Sequence, residues 1–480
     1  MKPEIISLRF LSKLIILLLL AFAFYIIFVN LGKSPLDNWD EAWYGDMIKN
    51  MYRTGEIILP QWNHSFYYDK PPLYLWTGSL LSLIFGLSEF SIRLPSAIAG
   101  FIIVFLITIY AYKNWGFFAG IAAYASIVFN NLYIWRTRSG NIDTFVSLFI
   151  FIAYFLIISK NKNRYLFLGI IFACIYLSKA SLVAFPFIIF ILHEALYKRK
   201  QIKENIKEYL KFLLIFFGIC GLWLGLGYLK SGKDFLDFYL LHSDRGSSTL
   251  SFKLNSSYIS YTYYSLQRRY FYLFILGVVL FARKIKENKN FLMLSFSVLL
   301  LIFLSFSKNS NNWYLVPSIP FWSLAIGYGV YELLNIFNSF KIKYFVYLVF
   351  VFLITYISYK TYTVNITPIL NTYSTVNQMQ SGQKIKELTD ENEIVVRLDH
   401  LYPATVYYSD RRILASPIEG ANTTSYWISK DDLIKAINNK KIRWLIGTNE
   451  SVNQFIKDNP TIKLNRVNVN NSEAIIEVKS

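Results

Sequence analysis

Apolar runs of about 20 residues, the length a bilayer demands, recur along the first three-quarters of this 480-residue chain. No other feature limits its fold as much, because a backbone in hydrocarbon must satisfy its own N–H and C=O groups and helices do so. The runs are expected at 8–31, 94–112, 116–135, 142–159, 164–179, 181–197, 210–229, 270–283, 290–307, 314–335 and 343–362. Basic clusters separate them: Lys2/Arg9/Lys13, Lys113, Lys160/Lys162/Arg164, Lys198–Lys211, Arg283–Lys289 and Lys341/Lys343. Placing all of these on the cytoplasmic side gives eleven spans, N-terminus inside and C-terminus outside. Leu73–Leu87 is apolar but short, and counting it as a span would put Lys113 outside. It reads instead as a helix lying along the outer interface.

Composition agrees with a polytopic membrane chain. Hydrophobic residues make up 54% and charged residues 16%, against about 25% charged in soluble domains. The net charge of +19 sits in short loops between apolar runs and forms no basic face, which argues against nucleic acid. Cys174 and Cys220 both fall inside apolar runs and read as small packing residues. The apolar stretch Leu14–Leu31 follows three basic residues and has no small-residue cleavage site after it, as in a retained signal-anchor. From about residue 376 short strand and helix patterns alternate: strands at Glu393–Asp399 and Arg443–Thr448, helices at Lys384–Glu393, Lys430–Asn438 and Ser451–Asp458. This predicts a small α/β domain over 376–480, outside the membrane and without a catalytic motif.

Charges of both signs collect at one membrane face in this topology. Asp40 and Glu41 lie in Asn38-Trp39-Asp40-Glu41-Ala42-Trp43-Tyr44, beyond the first span. Asp69-Lys70-Pro71-Pro72 leads into Leu73, and Arg136-Thr137-Arg138-Ser139-Gly140-Asn141-Ile142-Asp143 opens a later span. Lys179 ends a span in Leu177-Ser178-Lys179. His242 and Arg245 lie in the outer loop 230–269, and Ser305-Phe306-Ser307-Lys308 precedes Trp313-Tyr314-Leu315-Val316-Pro317. Each has a plain structural reading: Asp40 and Asp143 as helix caps, Lys70 as a snorkelling side chain, Tyr314 as an aromatic-belt residue. Yet carboxylates beside a bilayer are costly unless they do something there. No nucleotide-binding glycine motif and no Gly-x-Ser-x-Gly elbow is present, so any energy must arrive with the substrate.

The first-loop Asp-Glu, the acidic-Lys-Pro-Pro step and the Ser-x-x-Lys…Tyr-x-x-Pro-x-x-Pro pattern resemble the GT-C glycosyltransferases. The similar branch holds the protein O-mannosyltransferases and the bacterial lipid A aminoarabinose transferases. The resemblance covers roughly residues 1–330, most strongly 37–100. It implies an α-helical polytopic membrane protein with about 11 to 13 transmembrane helices. The expected domains are residues 1–375, including an outer loop at 32–93, and the 376–480 α/β domain. It implies transfer of a monosaccharide from a polyprenyl (undecaprenyl) phosphate to a lipid A, glycan or protein acceptor at the periplasmic face of a bacterial inner membrane, with inversion. Asp40 would handle the acceptor hydroxyl, supported by Glu41 or Asp143. Lys70, Arg245, Tyr314, Lys179, Lys308 and Arg138 would hold the donor phosphate. One branch also carries a zinc, which makes Asp69 and His242 candidate ligands for a divalent metal; no other cofactor is indicated. A flippase of lipid-linked sugars would line mid-membrane with charge, and an O-antigen polymerase or ligase would carry a late Arg-rich loop. The one-sided charge and the first-loop acidic pair disfavour both.

Overall fold

The structure, a computed structural model, describes residues 3–161, 163–239, 255–307, 311–337, 342–370, 375–416 and 425–479. In chain order the first helices are α1 (Pro3–Phe28), α2 (Asp40–Thr54), α3 (Leu73–Phe85), α4 (Glu89–Trp115), α5 (Phe117–Val128), α6 (Asn131–Arg138) and α7 (Ile142–Ile158). They are followed by α8 (Arg164–Ser178), α9 (Ala184–Tyr197), α10 (Ile206–Asp237), α11 (Ser257–Ser265), α12 (Arg269–Arg283), α13 (Asn288–Leu304), α14 (Ile319–Ile336) and α15 (Lys343–Thr361). The remainder are α16 (Thr367–Leu370), α17 (Val376–Leu388), α18 (Pro403–Ser409), α19 (Lys430–Asn438) and α20 (Asn449–Asp458). The chain divides into two compact units. One holds Met1–Leu31, Tyr68–Tyr74 and Arg93–Asn371; the other holds Gly32–Tyr67, Leu75–Ile92 and Thr372–Ser480.

Each predicted apolar run carries a helix, but the helices are less uniform than a hydropathy reading implies. Among the described residues five are long and apolar enough to cross a membrane, and two bent pairs bring this to seven if each pair is one span. Four more apolar helices, α3, α7, α8 and α13, are shorter. The expected span 116–135 is a bent pair, with α5 and α6 at 63°. Asn130 breaks it: its side chain accepts the Tyr133 N–H at 2.9 Å and starts a new helix, as an N-cap does. The α11–α12 pair turns by 109°. The expected span 314–335 opens as a 3₁₀ turn over Asn312–Ser318 containing Pro317 and becomes α-helical only at Ile319. Large apolar side chains face outward along α10, with Leu229 81% exposed, as suits lipid contact.

Where helices meet, small residues let backbones approach. A methyl group placed on Gly277 of α12 would lie 2.0 Å from the Ala325 carbonyl oxygen of α14, and one on Gly329 would lie 3.0 Å from the Leu273 oxygen. These two glycines set the α12–α14 crossing.

The second unit contains a five-stranded sheet of β3 (Ile394–Arg397), β4 (Arg412–Ala415), β5 (Trp444–Thr448), β6 (Leu464–Asn468) and β7 (Glu473–Val478), besides a short hairpin of β1 (Gln61–Trp62) and β2 (Ser65–Phe66). Its order is β4-β3-β5-β7-β6, parallel across the first three strands and antiparallel across the last three. Val396, Leu414, Leu433, Leu445, Val452 and Ile476 build its apolar core. Arg397 is fully buried there and bonds Asp399, Thr405 and Glu473, which compensates a charge that burial would otherwise penalise. The expected small α/β region is thus present, with three strands and one helix more, among the described residues, than the sequence pattern suggested.

This second unit also takes in most of residues 32–93, between α1 and the body of α4. The Asn63 side chain, fully buried, donates to the Ile413 carbonyl at 2.6 Å and accepts the Ile413 N–H at 2.8 Å, so one amide side chain completes the free edge of β4. Tyr408 of α18 donates to Glu89 at 2.8 Å and accepts the Leu36 N–H at 2.8 Å.

Candidate active site

In the first unit Asp143 is the centre of a charged cluster. Asn141 caps α7 by accepting the Asp143 N–H at 3.1 Å, which fixes the carboxylate at the first helical turn. The Asp143 side chain is buried and takes two cations: Arg136 Nε at 3.0 Å on one oxygen and Lys179 Nζ at 3.0 Å on the other. Arg136 comes from α6, and Lys179 ends α8, immediately before a 3₁₀ turn. Lys179 Nζ also sits 4.6 Å from the Tyr314 ring centroid. The Arg136 guanidinium lies 5.1 Å from the Trp135 ring and 5.3 Å from the Trp313 ring. Cation–π contact and the carboxylate together hold both cations in fixed places. The Asp143 side chain is 4% exposed and that of Lys179 25%, so the lysine is the member that solvent or a ligand can reach.

The Asp69–Lys70 step belongs to the same unit. Lys70 Nζ lies 2.9 Å from Asp69, with 28% of the lysine side chain exposed. Tyr68 hydrogen-bonds Ser231 and packs edge-on against Phe235 and Phe238, beside the kink that Gly232 puts in α10 with its φ of 65°. On the other side Tyr74 packs edge-on against Phe145, centroids 5.4 Å apart. Ser96 donates to the Asn141 carbonyl at 2.5 Å and lies 3.3 Å from the Tyr74 hydroxyl. The lysine step and the Asp143 turn are therefore tied to one framework.

In the second unit, Asp40 is half-buried at the first position of α2. The residue before it, Trp39, has φ 66° and ψ −119°, a conformation that costs a non-glycine residue about 1–3 kcal/mol and tends to occur at functional sites. Glu41 is buried and its carboxylate accepts the Asp37 N–H at 2.6 Å, closing the turn that presents Asp40. Further along α2, buried Lys49 bridges Asp46 at 2.9 Å and Asp410 at 3.1 Å, and Arg53 also bonds Asp410. Burial by itself would raise the Asp410 carboxyl. The hydrogen bond from Arg53 and the charge of Lys49 outweigh it and hold the group well below the usual carboxylate range.

The structure thus brings Asp143, Lys179 and Tyr314 together and ties the Lys70 segment to their framework. Arg138 is not among them: its guanidinium donates to the Ile26 and Ile27 carbonyls at 2.6 and 2.9 Å, satisfying acceptors that α1 leaves open at its C-terminus. His242, Arg245 and Lys308 lie outside the described residues. Among the described residues no group of three His, Cys, Asp or Glu side chains is arranged to hold a metal, and Asp69 already faces Lys70. Sequence reasoning did not foresee the Trp135–Trp313 pair around Arg136. The only signal was the aromatic neighbour beside each of two polar motifs.

Residues 69–229 match the family described as dolichyl-phosphate-mannose-protein mannosyltransferase. That range includes Asp69, Lys70, Arg136, Asp143 and Lys179. An uncharacterized protein of Aquifex aeolicus is 29% identical over 329 residues, covering 66% of this chain and 73% of its own length. The undecaprenyl phosphate-alpha-4-amino-4-deoxy-L-arabinose arabinosyl transferase of Aeromonas salmonicida is 30% identical over 94 residues, 19% of this chain and 17% of that enzyme. A crystal structure of ArnT from Cupriavidus metallidurans bound to undecaprenyl phosphate superimposes with a TM-score of 0.78, covering 96% of this chain and 97% of that one at 13% identity. Helical fold, several apolar spans, small sheet domain and these matches agree, and the chain is similar to the GT-C membrane glycosyltransferases in fold and, over residues 69–229, in sequence.

Proposed function

We propose that this glycosyltransferase moves a monosaccharide from a polyprenyl phosphate to an acceptor hydroxyl at the periplasmic face of a bacterial inner membrane. The observation that carries the reading is the Asp143 cluster: two cations and a tyrosine held in place around one buried carboxylate, with Lys179 still reachable. Such an arrangement suits a leaving phosphate, because donors fixed before reaction cost no reorganisation when charge develops. The undecaprenyl phosphate carried by the similar ArnT structure supports the same class of donor.

In this reading Asp143 is a positioning residue, not the base. Its carboxylate orients Arg136 and Lys179, and Lys70 and Tyr314 complete the phosphate side. Asp40 takes the proton from the acceptor hydroxyl while that oxygen bonds the anomeric carbon. The bond from that carbon to the phosphate oxygen breaks, and the electron pair leaves with the carrier phosphate. A single displacement of this kind inverts the anomeric centre. Glu41 serves by closing the turn before Asp40, and Arg138 by capping α1. Asp69 is engaged with Lys70, so a metal site would depend on His242, and no step here runs through one.

The test is carrier binding. Replacing Lys179 by Met should weaken binding of bare undecaprenyl phosphate by about 1.5–3 kcal/mol, the worth of a hydrogen bond to a charged group, or roughly 10- to 150-fold. Unchanged affinity in a variant that still melts cooperatively would sink the assignment.

A further inference from the structure

Beside the Asp143 cluster, in the same unit, lies a cavity of about 410 Å³, within the size range of small-molecule sites, about 300–1,000 Å³. Trp135, Tyr261 and Tyr264 supply aromatic surface, and Asn131, Asn312 and Asn365 supply amides. Among the described residues none that lines it is charged. Trp135 belongs to both places: one indole lines the cavity and lies 5.1 Å from the Arg136 guanidinium. It also meets Trp313 edge-on, centroids 6.5 Å apart.

We propose that this cavity binds an uncharged sugar ring. The proposal rests on reading the Asp143 cluster as the phosphate side, which it extends to the kind of sugar handled. Aromatic faces carry a negative quadrupole that attracts polarised C–H groups, and a pyranose presents such a face. Asn side chains each offer two donors and an acceptor, which match hydroxyl groups at the ring edge. Tyr261 and Tyr264 stand three residues apart on α11, so they share one helix face. Asn365 lies in a π-helical turn, Tyr362–Ile366, and such turns often mark functional positions. An ammonium or a carboxylate on the sugar would meet no opposite charge among the described lining residues, whereas ring hydroxyls find amide partners there. The sugar is therefore a neutral one, and it comes either from the donor or from a neutral glycan acceptor.

The experiment uses the full chain in lipid nanodiscs and four probes. These are glucosyl polyprenyl phosphate, the same carrier with 4-amino-4-deoxyarabinose, the bare carrier phosphate, and a neutral trisaccharide. The variant is Asn312→Ala with Asn365→Ala, and Tyr264→Ser is a second variant at an exposed position. For a donor sugar, wild type binds the glucosyl carrier about tenfold more tightly than the amino-sugar carrier, as expected for two hydrogen bonds. Both variants weaken the glucosyl carrier about tenfold and leave bare-carrier binding unchanged, which also shows that they fold. For an acceptor sugar, the trisaccharide binds wild type and loses about tenfold in the variants while both carriers are unaffected. The proposal is overturned if neither the glucosyl carrier nor the trisaccharide responds, or if the amino-sugar carrier binds as tightly as the glucosyl one. Equal weakening of the bare carrier overturns it too, since the cavity then holds the isoprenoid chain. Lys179→Met against the bare carrier tests the phosphate reading separately.

Discussion

Asp40 and Asp143 are both acidic residues at helix starts, and their surroundings give them different work. Asp143 is buried between Arg136 and Lys179, so its charge is already spent on two partners. Breaking a buried pair of this kind typically costs about 3–5 kcal/mol. Asp143→Asn should therefore lower the melting temperature and weaken carrier binding together, because the cations lose the group that holds them. Asp40 follows a strained Trp39 and is half-buried. Asp40→Asn should leave melting and carrier binding nearly unchanged and slow single-turnover transfer by about 10²- to 10⁴-fold, the worth of a positioned base. Wild-type transfer by Asp40→Asn, or wild-type melting by Asp143→Asn, would reverse the division of roles.

At the scale of elements, the α12–α14 crossing gives the sharpest expectation. Gly277→Ala puts a methyl group 2.0 Å from the Ala325 oxygen, so the helices must separate. Overpacking of this sort costs about 1–3 kcal/mol. Gly225→Ala is the control, since nothing lies within 4 Å of its added carbon and alanine in a helix gains about 0.5–1 kcal/mol. Thermal melting of the two purified variants should move in opposite directions, and a common direction would contradict the crossing described here. Helix positions were legible in the sequence because an apolar run about 20 residues long admits little else. The break at Asn130 was not, because a cap inside an apolar run leaves the average hydropathy high. Strands β4, β6 and β7 escaped; β6, Leu464–Asn468, has only two apolar residues, and β7 carries glutamates at Glu473 and Glu477, so neither reads as an apolar strand. Asp143, Lys179 and Tyr314 were each singled out, but their meeting was invisible, since pairing across 36 residues, as between Asp143 and Lys179, leaves no local pattern. The tryptophans around Arg136 were hidden likewise, as aromatic residues are common throughout this chain.

Over the whole molecule, the helix that carries Asp40 is continued into charged contacts with residues near position 410. Lys49 and Arg53 of α2, with Lys386 of α17, all face Asp410. Asp410 is depressed when folded, whereas in an unfolded chain it titrates near about 3.9. The unfolded chain therefore binds the proton first on acidification. The stability that Asp410 contributes is complete above that value and is lost as the pH falls through the lower, folded one. Asp410→Asn should melt at a lower temperature than wild type at neutral pH, and the two curves should converge as the pH falls below about 4. The same substitution loosens the anchorage of α2, so transfer should slow at neutral pH while bare-carrier binding holds. Melting temperature against pH, followed for both proteins in the same lipid, is the measurement. A gap that stays constant down to the lowest pH, or widens there, would mean that Asp410 does not carry the linkage and that another group anchors α2.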